Sequence, residues 1–212
     1  MSSKRTCRIG IIDLEINNLF SIFNACVKAG YKVSIINPKK KTLSYDLILL
    51  PGVGSFKSGM NFLKKNYIDE KIFEYLNKKN SFLYGICLGM QLLFNNSNEF
   101  SMTNGLKLID GKVRKFQNNK LNNSINIGWN KLEFNKNEVN EIFSNFKKSH
   151  FYFIHSFYVN PQNLSENIAD SVHENFKFCS IIKKNNIFGT QFHPEKSGEH
   201  GIKFLKTIKK II

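Results

Sequence analysis

A cysteine between two glycines follows a short apolar run in the stretch Tyr84–Gln91. The run 82–86 and the apolar side chains at helical spacing after Cys87 predict a strand, a sharp turn and a helix. The free N–H groups and the positive dipole end of that helix favour a thiolate over a thiol. Gly85 and Gly89 flank the turn as in a nucleophile elbow, where small residues let the backbone turn tightly. The pattern indicates a cysteine nucleophile, and the alternative is an inert cysteine buried at a strand end.

A thiolate nucleophile needs a general base and a group that orients this base. The chain has five histidines, of which His193 follows a predicted strand, as Cys87 does. Both are therefore expected at the carboxyl edge of a parallel sheet. Glu195 lies two residues further on, so an extended segment returns its side chain toward the same side. These positions predict a Cys–His–Glu triad in which the carboxylate holds the imidazole tautomer. His155, in the aromatic run of a predicted strand, is the alternative base, although a packed histidine is expected there.

Two turns can supply N–H donors to the oxyanion of an acyl-transfer reaction. The N–H of Leu88 comes directly after the nucleophile. The turn Pro51–Gly54 follows another predicted strand, and its glycines allow peptides to point inward. Its continuation, Ser55-Phe56-Lys57, matches neither a dinucleotide-binding loop nor a P-loop, so a plain tight turn is the alternative. Gln91, one helical turn after Cys87, either contacts a polar substrate or caps a neighbouring loop.

Strands and helices alternate in the first half of the chain. Apolar runs predict strands at 8–13, 32–37, 46–50 and 82–86, and helical spacing predicts helices at 17–29, 57–65, 68–79 and after Cys87. Such an alternation predicts a mainly parallel sheet with helices on both faces.

From Gly105 onward the apolar runs are short and lack long helices between them, which predicts antiparallel additions to the sheet. Strands are predicted at 106–109, 112–116, 130–134 and 151–158, and a hairpin at 180–182 and 187–192. A final helix is predicted over 198–212, with Ser197 as its N-cap and Ile202, Leu205 and Ile208 facing inward. Without a visible repeat or linker, residues 1–212 are predicted to form one α/β domain with an open sheet.

The composition bounds the class of protein. The 212 residues, 42% hydrophobic with 20 Phe, suffice for a sizeable core. The net charge of +15 suggests nucleic acid, a phosphorylated substrate or an acidic partner. The lysines are scattered, however, and neither an RNA-binding signature nor zinc-ligand spacing is present, so nucleic-acid binding is not expected. Four widely spaced cysteines, no secretory signal and no membrane-length apolar run predict a cytoplasmic protein without membrane attachment.

Three segments resemble the signatures of the class I, triad-type glutamine amidotransferases, in the family's order and across nearly the whole chain: Pro51–Gly54, Gly85–Leu93 and Phe192–Ser197. The segments Gly128–Asn130 and Tyr152–Ser156 resemble the glutaminase subunit of imidazole glycerol phosphate synthase. The resemblance implies a flavodoxin-like core. It also implies that Cys87 attacks the side-chain amide of L-glutamine and that His193 shuttles protons. Ammonia then leaves, and water hydrolyses the γ-glutamyl thioester to glutamate.

The resemblance also implies binding residues and a partner. Positions that contact glutamine in the family are matched by Gly52, Gln91, Ser156 and Phe157, and the oxyanion positions by Val53 and Leu88. Ammonia passes into a separate (β/α)8 synthase subunit, with which the glutaminase forms a heterodimer. The positions at this contact are matched by Trp129, Tyr152 and Lys196. In the imidazole-forming enzyme, the partner uses ammonia to split a phosphoribulosyl-formimino nucleotide. No cofactor or metal is implied.

Some positions depart from the family pattern. Asn17-Asn18-Leu19 lacks the glycine that usually precedes Asn-Leu, and the turn 14–16 before it is atypical. Ile125-Asn126 stand where Pro-His is usual, and Phe157 stands where Tyr is common. None of these positions belongs to the triad. Some lie where partner contact is expected, so a second hypothesis is a glutaminase that serves a sugar amidotransferase in surface polysaccharide biosynthesis. A third, suggested by the charge alone, is a non-catalytic or nucleic-acid-binding module on the same fold.

Overall fold

A computed structural model describes residues 6–15, 19–39, 42–116, 125–135 and 140–212. The strands in these ranges are β1 (Arg8–Ile12), β2 (Lys32–Ile36), β3 (Leu47–Gly52), β4 (Leu83–Cys87), β5 (Asn96–Ser97), β6 (Thr103–Asn104), β7 (Gly111–Lys115), β8 (Asn126–Lys131), β9 (Glu133–Phe134), β10 (His150–His155), β11 (Phe157–Pro161), β12 (Asn167–His173), β13 (Phe176–Lys184) and β14 (Ile187–Thr190). The α-helices are α1 (Leu19–Lys28), α2 (Phe56–Lys65), α3 (Ile68–Leu76), α4 (Leu88–Leu92), α5 (Asn140–Phe143) and α6 (Gly198–Ile208). Short 3-10 turns lie at Ser144–Phe146, Leu164–Glu166 and Pro194–Lys196.

The central sheet has eight strands in the order β2-β1-β3-β4-β14-β13-β12-β9. The first five run parallel to one another, and the last three are added antiparallel. This arrangement confirms the predicted mainly parallel open sheet with antiparallel additions. Since β4 pairs with both β3 and β14, the segments that follow all three strands meet at one edge of the sheet.

Two apolar cores cover the two faces of the sheet. Along β3, Leu47 and Leu49 belong to one core, whereas Ile48 and Leu50 belong to the other, as the period-2 pleat requires. Side chains of α1 and α6 fill the first core, and those of α2, α3 and α4 fill the second. Because both faces are covered, the central strands are continuously apolar rather than alternating.

The strands predicted after Gly105 are only partly confirmed. The segment 106–109 is not a strand; its N–H groups bind the carbonyls of Leu92 and Leu93 and so complete the C-terminal end of α4. The run 151–158 is broken at Ser156 into β10 and β11. Among the described residues, β10 forms a ladder with β8 and a single bridge from Tyr152 to His193, whereas β11 joins a separate four-stranded sheet with β7, β5 and β6. The prediction that these strands extend the central sheet is therefore wrong for β7, β8, β10 and β11.

The predicted final helix starts at Gly198, directly after Ser197, as expected, but it is shorter. It ends at Ile208 rather than Ile212. Ser197 does not cap it through its side chain, because Ser197 Oγ donates to the carbonyl of His193 at 2.6 Å and accepts the N–H of Tyr152 at 3.0 Å. The hydroxyl thus fixes the histidine segment. The predicted helix at 17–29 is described from Leu19 onward, and residues 17–18 lie outside the described ranges.

None of the helices in the described part of the chain combines the length and the apolar character needed to span a bilayer.

Candidate active site

Cys87 occupies the turn between β4 and α4 with φ 53° and ψ −108°. A positive φ is unusual for a residue with a side chain and persists only where the surroundings enforce it. Gly85 and Gly89 provide that enforcement. A Cβ on Gly89 would lie 1.6 Å from the carbonyl oxygen of Leu50, and a Cβ on Gly85 would meet the Gly89 backbone at 2.7 Å. The turn is therefore held by backbone packed directly on backbone.

His193 and Glu195 lie just beyond β14, the parallel neighbour of β4. Nδ1–H of His193 donates a hydrogen bond of 2.7 Å to Oε1 of Glu195, which requires the proton on Nδ1. Their side chains are only 2% and 8% exposed. The 3-10 turn at Pro194–Lys196 brings the carboxylate back to the imidazole. This part of the predicted constellation has the geometry of an oriented base.

The charge state of His193 is set by its neighbours. Burial alone lowers the pKa of the imidazole, but the negative charge of the Cys87 sulfur and the Glu195 carboxylate outweigh burial and raise this pKa. Nε2 of His193 makes no hydrogen bond of ordinary length to any described residue. Cys87 therefore acts on the ring chiefly through its charge. The arrangement favours the imidazolium form of His193, with Nε2 left to deliver a proton.

His155, the alternative base, has both ring nitrogens engaged. Nδ1–H donates to the Phe157 carbonyl at 2.8 Å, and since a carbonyl can only accept, Nε2 must be the acceptor. Nε2 accepts from the Asn126 amide at 3.0 Å. Burial lowers the pKa of His155 to about 3, so its ring is neutral. These contacts are those of a packed structural histidine, and they favour His193 as the base.

A cleft of about 770 Å³ opens above Cys87, whose side chain is 5% exposed. Most of the residues predicted to contact glutamine or the oxyanion line it: Val53, Leu88, Gln91, Ser156 and Phe157. Gly52 lies beneath, paired in register with Cys87, where a Cβ would approach the Leu88 side chain to 2.9 Å. Among the described residues, no three His, Cys, Asp or Glu side chains could hold a metal ion together.

Gln91 is buried, and its amide group bonds to the protein itself. Nε2 donates to the Phe157 carbonyl at 2.9 Å and to Oε1 of Gln191 at 3.2 Å. The first bond joins α4 to the first residue of β11, a strand rather than the loop that the sequence offered as one alternative. Contact of Gln91 with a substrate stays a prediction.

The three residues predicted to contact a partner lie together beside the cleft. The rings of Trp129 and Tyr152 meet edge to face, with centroids 5.8 Å apart, and Lys196 Nζ lies 5.9 Å from the Tyr152 ring centroid. The Trp129 side chain is 52% exposed. Register pairing places Ile127 and Ile154 on the same side of the β8–β10 ladder, and both are exposed. We call the exposed side chains of Ile127, Trp129 and Ile154, together with the half-buried Tyr152, the β8–β10 face.

The family model described as "Glutamine amidotransferase class-I" matches residues 10–210. The chain belongs to the class-I glutamine amidotransferases. Its membership agrees with the resemblance carried by the segments around Gly52, Cys87 and His193.

Three relatives of this glutamine amidotransferase carry the same name, imidazole glycerol phosphate synthase subunit HisH. The protein of Geobacillus sp. (strain WCH70) is 37% identical over 96% of this chain and 97% of its own length. That of Chlorobaculum tepidum is 39% identical over 92% and 96%. That of Methanocaldococcus jannaschii is 40% identical over 96% and 100%.

Solved structures agree on the fold of the amidotransferase. A chain of the PurLQS structure from Thermotoga maritima matches with a TM-score of 0.75 at 18% identity, covering 97% of this chain and 99% of that one. A crystal structure described as a glutamine amidotransferase matches with a TM-score of 0.71 at 14% identity, over 96% and 99%.

Two residues of the amidotransferase site were missed in the sequence. Glu99 lines the cleft and accepts the N–H of Phe56 at 2.6 Å. Gln191 donates from Nε2 to the Cys87 sulfur at 3.6 Å. Glu99 lies in a loop without periodicity, so no local pattern could have indicated it. Gln191 stands two residues before the predicted base, and an amide at that position was a usable signal.

Proposed function

We propose that this amidotransferase is the glutaminase subunit of an imidazole glycerol phosphate synthase and that Cys87, His193 and Glu195 are its catalytic triad. The observation that carries the triad is Cys87 at the floor of the cleft, beside a buried His193 oriented by Glu195. The relatives that align with nearly the whole of this chain are named as subunits of imidazole glycerol phosphate synthase, and these names support the assignment to the synthase.

In this mechanism the Cys87 sulfur attacks the side-chain carbonyl carbon of glutamine and forms a C–S bond. The N–H groups of Val53 and Leu88 bind the resulting oxyanion. Protonated His193 gives its proton from Nε2 to the leaving nitrogen, the C–N bond breaks, and ammonia departs. A water molecule then attacks the thioester while His193 accepts its proton. Glutamate is released and the Cys87 thiolate is restored, so one water is consumed for each ammonia.

The cleft also has groups suited to the amino-acid end of the substrate. Of the described residues that line it, Glu99 alone carries a carboxylate, so we assign Glu99 to the α-ammonium of glutamine. Lys115 lines the same cleft and offers a positive charge for the α-carboxylate. Gly52, Gln91, Ser156 and Phe157 complete the proposed glutamine site, with their positions taken from the family resemblance.

The proposed partner is a (β/α)8 synthase subunit that forms a heterodimer and receives the ammonia. The β8–β10 face supports this assignment because exposed aromatic and aliphatic side chains adjoin the nucleophile's cleft. A large exposed Trp beside such a cleft is typical of an energetically dominant contact. Lys196 lines the cleft next to Tyr152 and belongs to the same proposed contact.

The decisive experiment combines this chain with the synthase subunit of the same organism. We expect weak release of glutamate by the chain alone and faster release in the complex with the synthase ligand bound. Cys87→Ala should abolish release without lowering the unfolding temperature. Retention of ammonia production by Cys87→Ala would refute the mechanism.

Complementation tests the pathway separately. Expression in a histidine auxotroph that lacks the glutaminase subunit, together with the cognate synthase subunit, should restore growth. Failure with a well-folded, glutamine-hydrolysing pair would favour a sugar amidotransferase as the acceptor of ammonia.

A further inference from the structure

Gln191 is a fully buried amide in contact with the nucleophile. It follows the last residue of β14, and its side chain is 0% exposed. Its Nε2 lies 3.6 Å from Sγ of Cys87. A buried amide adds no apolar packing and has to be satisfied by hydrogen bonds, so its presence against the sulfur calls for an explanation.

Neighbouring groups decide which end of the Gln191 amide faces the sulfur. The Phe157 carbonyl can only accept, so the Gln91 atom 2.9 Å from it must be the NH2 group. That same NH2 lies 3.2 Å from the Gln191 amide, whose facing atom must therefore be the oxygen. The NH2 of Gln191 is then turned to Cys87. The orientation of the Gln191 amide therefore follows from which neighbouring groups donate and which accept; the shape of the amide alone would not determine it.

The chain of hydrogen bonds continues away from the cleft. The Phe157 carbonyl also accepts Nδ1–H of His155, and Nε2 of His155 accepts from the Asn126 amide. Oδ1 of Asn126 in turn accepts from Asn130 Nδ2 at 3.0 Å. Asn126 and Asn130 lie on β8, the strand that carries Trp129. Each of these bonds has one possible direction, but the Gln191 amide is held only by the first of them: the Phe157 carbonyl fixes the Gln91 amide, and the Gln91 NH2 group opposes a flip of Gln191.

We propose that Gln191 is a further catalytic residue, whose side-chain N–H stabilises the Cys87 thiolate by a hydrogen bond. A donor aimed at an anion stabilises the anion more than the neutral thiol. The alternative partner of the sulfur is the carbonyl of Ile154 at 3.9 Å, which can only accept and so favours the thiol. The Gln191 donor thus favours the thiolate of Cys87 over the thiol. The use of this thiolate in glutamine hydrolysis rests on the function proposed above.

Other charged or titratable groups near Cys87 also influence the thiolate. His193, with Glu195 behind it, faces the sulfur from beyond β14. His155, on β10, lines the cleft in its neutral form. Glu99, Lys115 and Lys196 surround the opening. Since a change at Gln191 leaves all of these groups in place, its effect on the thiolate can be measured separately.

The test is the pH dependence of Cys87 alkylation by iodoacetamide, located by peptide mass mapping, in the complete chain without glutamine or partner. The variant Gln191→Met keeps the length of the side chain and removes the donor. We expect about a tenfold slower alkylation near pH 7 and a midpoint about one pH unit higher. Thr190→Val is the matched control, because Thr190 is equally buried in the preceding position but bonds to Tyr84 and Phe192. Its profile should equal that of the unchanged protein.

A second variant covers the possibility that Gln191→Met fails to fold. Gln191→Leu is close to glutamine in size and also lacks a donor, so its midpoint should rise as far as that of Gln191→Met. Unchanged profiles in both folded variants, or in the one that folds, would overturn the role of Gln191. A shifted midpoint in a chain that does not hydrolyse glutamine even with its synthase would refute the proposed function and leave Gln191 as the thiolate's donor.

Discussion

The backbone carbonyl of Tyr152 accepts the backbone N–H of His193 at 2.9 Å, and the N–H of Tyr152 bonds to Ser197 Oγ. Strand β10 is therefore hydrogen-bonded to the segment that carries the proposed base. The Tyr152 side chain packs on Trp129 at the β8–β10 face. A partner that binds at the β8–β10 face would therefore contact the same strand, β10, that is hydrogen-bonded to the His193 segment.

Trp129→Ala should weaken the complex with the synthase subunit. We expect a loss of 2 kcal/mol or more in binding, which is about 30-fold in Kd, because a central exposed Trp commonly dominates an interface. Titration calorimetry measures this, and the unfolding temperature of the isolated chain should change little. Leu164→Ala, an exposed apolar side chain outside the β8–β10 ladder, is the control. Equal Kd values for the two variants would contradict the placement of the interface.

Glu195→Gln should lower partner-stimulated glutaminase activity by roughly 100-fold. The amide keeps the size of the side chain but removes the negative charge that helps to raise the pKa of His193. That pKa should fall, so the imidazolium is lost earlier and the alkaline limb of the kcat/KM profile moves to lower pH. A profile that keeps its alkaline limb in place would show that the carboxylate does not support the imidazolium.

Glu99→Gln should raise the KM for glutamine about tenfold or more while changing kcat little. The proposed ion pair with the α-ammonium contributes to binding, whereas the reacting amide lies at the other end of the substrate. Because Glu99 also accepts the N–H of Phe56, the unfolding temperature has to be measured in parallel. A fall in kcat with unchanged KM would contradict the assignment.

His155 should make the protein less stable in acid. Its pKa is lowered by burial from 6.5 to about 3, so between these values only the unfolded chain binds its proton. The free energy of unfolding contributed by His155 is complete above about pH 6.5 and falls by about 1.4 kcal/mol per pH unit below it. Denaturant unfolding from pH 7 to pH 4 should show a shallower decline for His155→Gln than for the unchanged chain. An equal decline in the two proteins would contradict a buried, neutral His155 ring.

Gly89→Ala should destabilise the fold by about 3 kcal/mol or more, or prevent soluble expression. The added Cβ would lie 1.6 Å from the Leu50 carbonyl oxygen, so the start of α4 would have to leave β3. Gly198→Ala is the comparison, since its φ is +56° but nothing lies within 4 Å of the added atom. It should cost only about 1 kcal/mol. Similar unfolding temperatures for the two variants would argue against backbone contact as the cause.

The parallel half of the fold and the positions of Cys87 and His193 could be read from the sequence because they depend on local signals. Buried parallel strands are continuous apolar runs, and the carboxyl edge of such a sheet gathers whatever follows its strands. The later strands could not be placed in the same way. Ser156 ends one ladder and starts another, and the choice of partner for β11 depends on long-range packing against β7.

The side-chain partners depend even more on tertiary contacts. Ser197 has the type and position of a helix cap, yet its hydroxyl bonds to the His193 carbonyl and the Tyr152 N–H. The amide of Asn126 appeared only as a departure from the family pattern. Its bond to His155, across the β8–β10 ladder, has no signature in sequence spacing.

The two glycines around Cys87 are constrained by packing, whereas the sulfur between them is constrained by the reaction. They are required by the seating of α4 on β3, whether or not the protein catalyses a reaction. A descendant that lost its glutaminase activity could replace the cysteine. It could not replace Gly89, because any side chain there would clash with the Leu50 carbonyl. In surveys of genomes, the pair of glycines would therefore mark ancestry, and the thiol between them would mark a working enzyme.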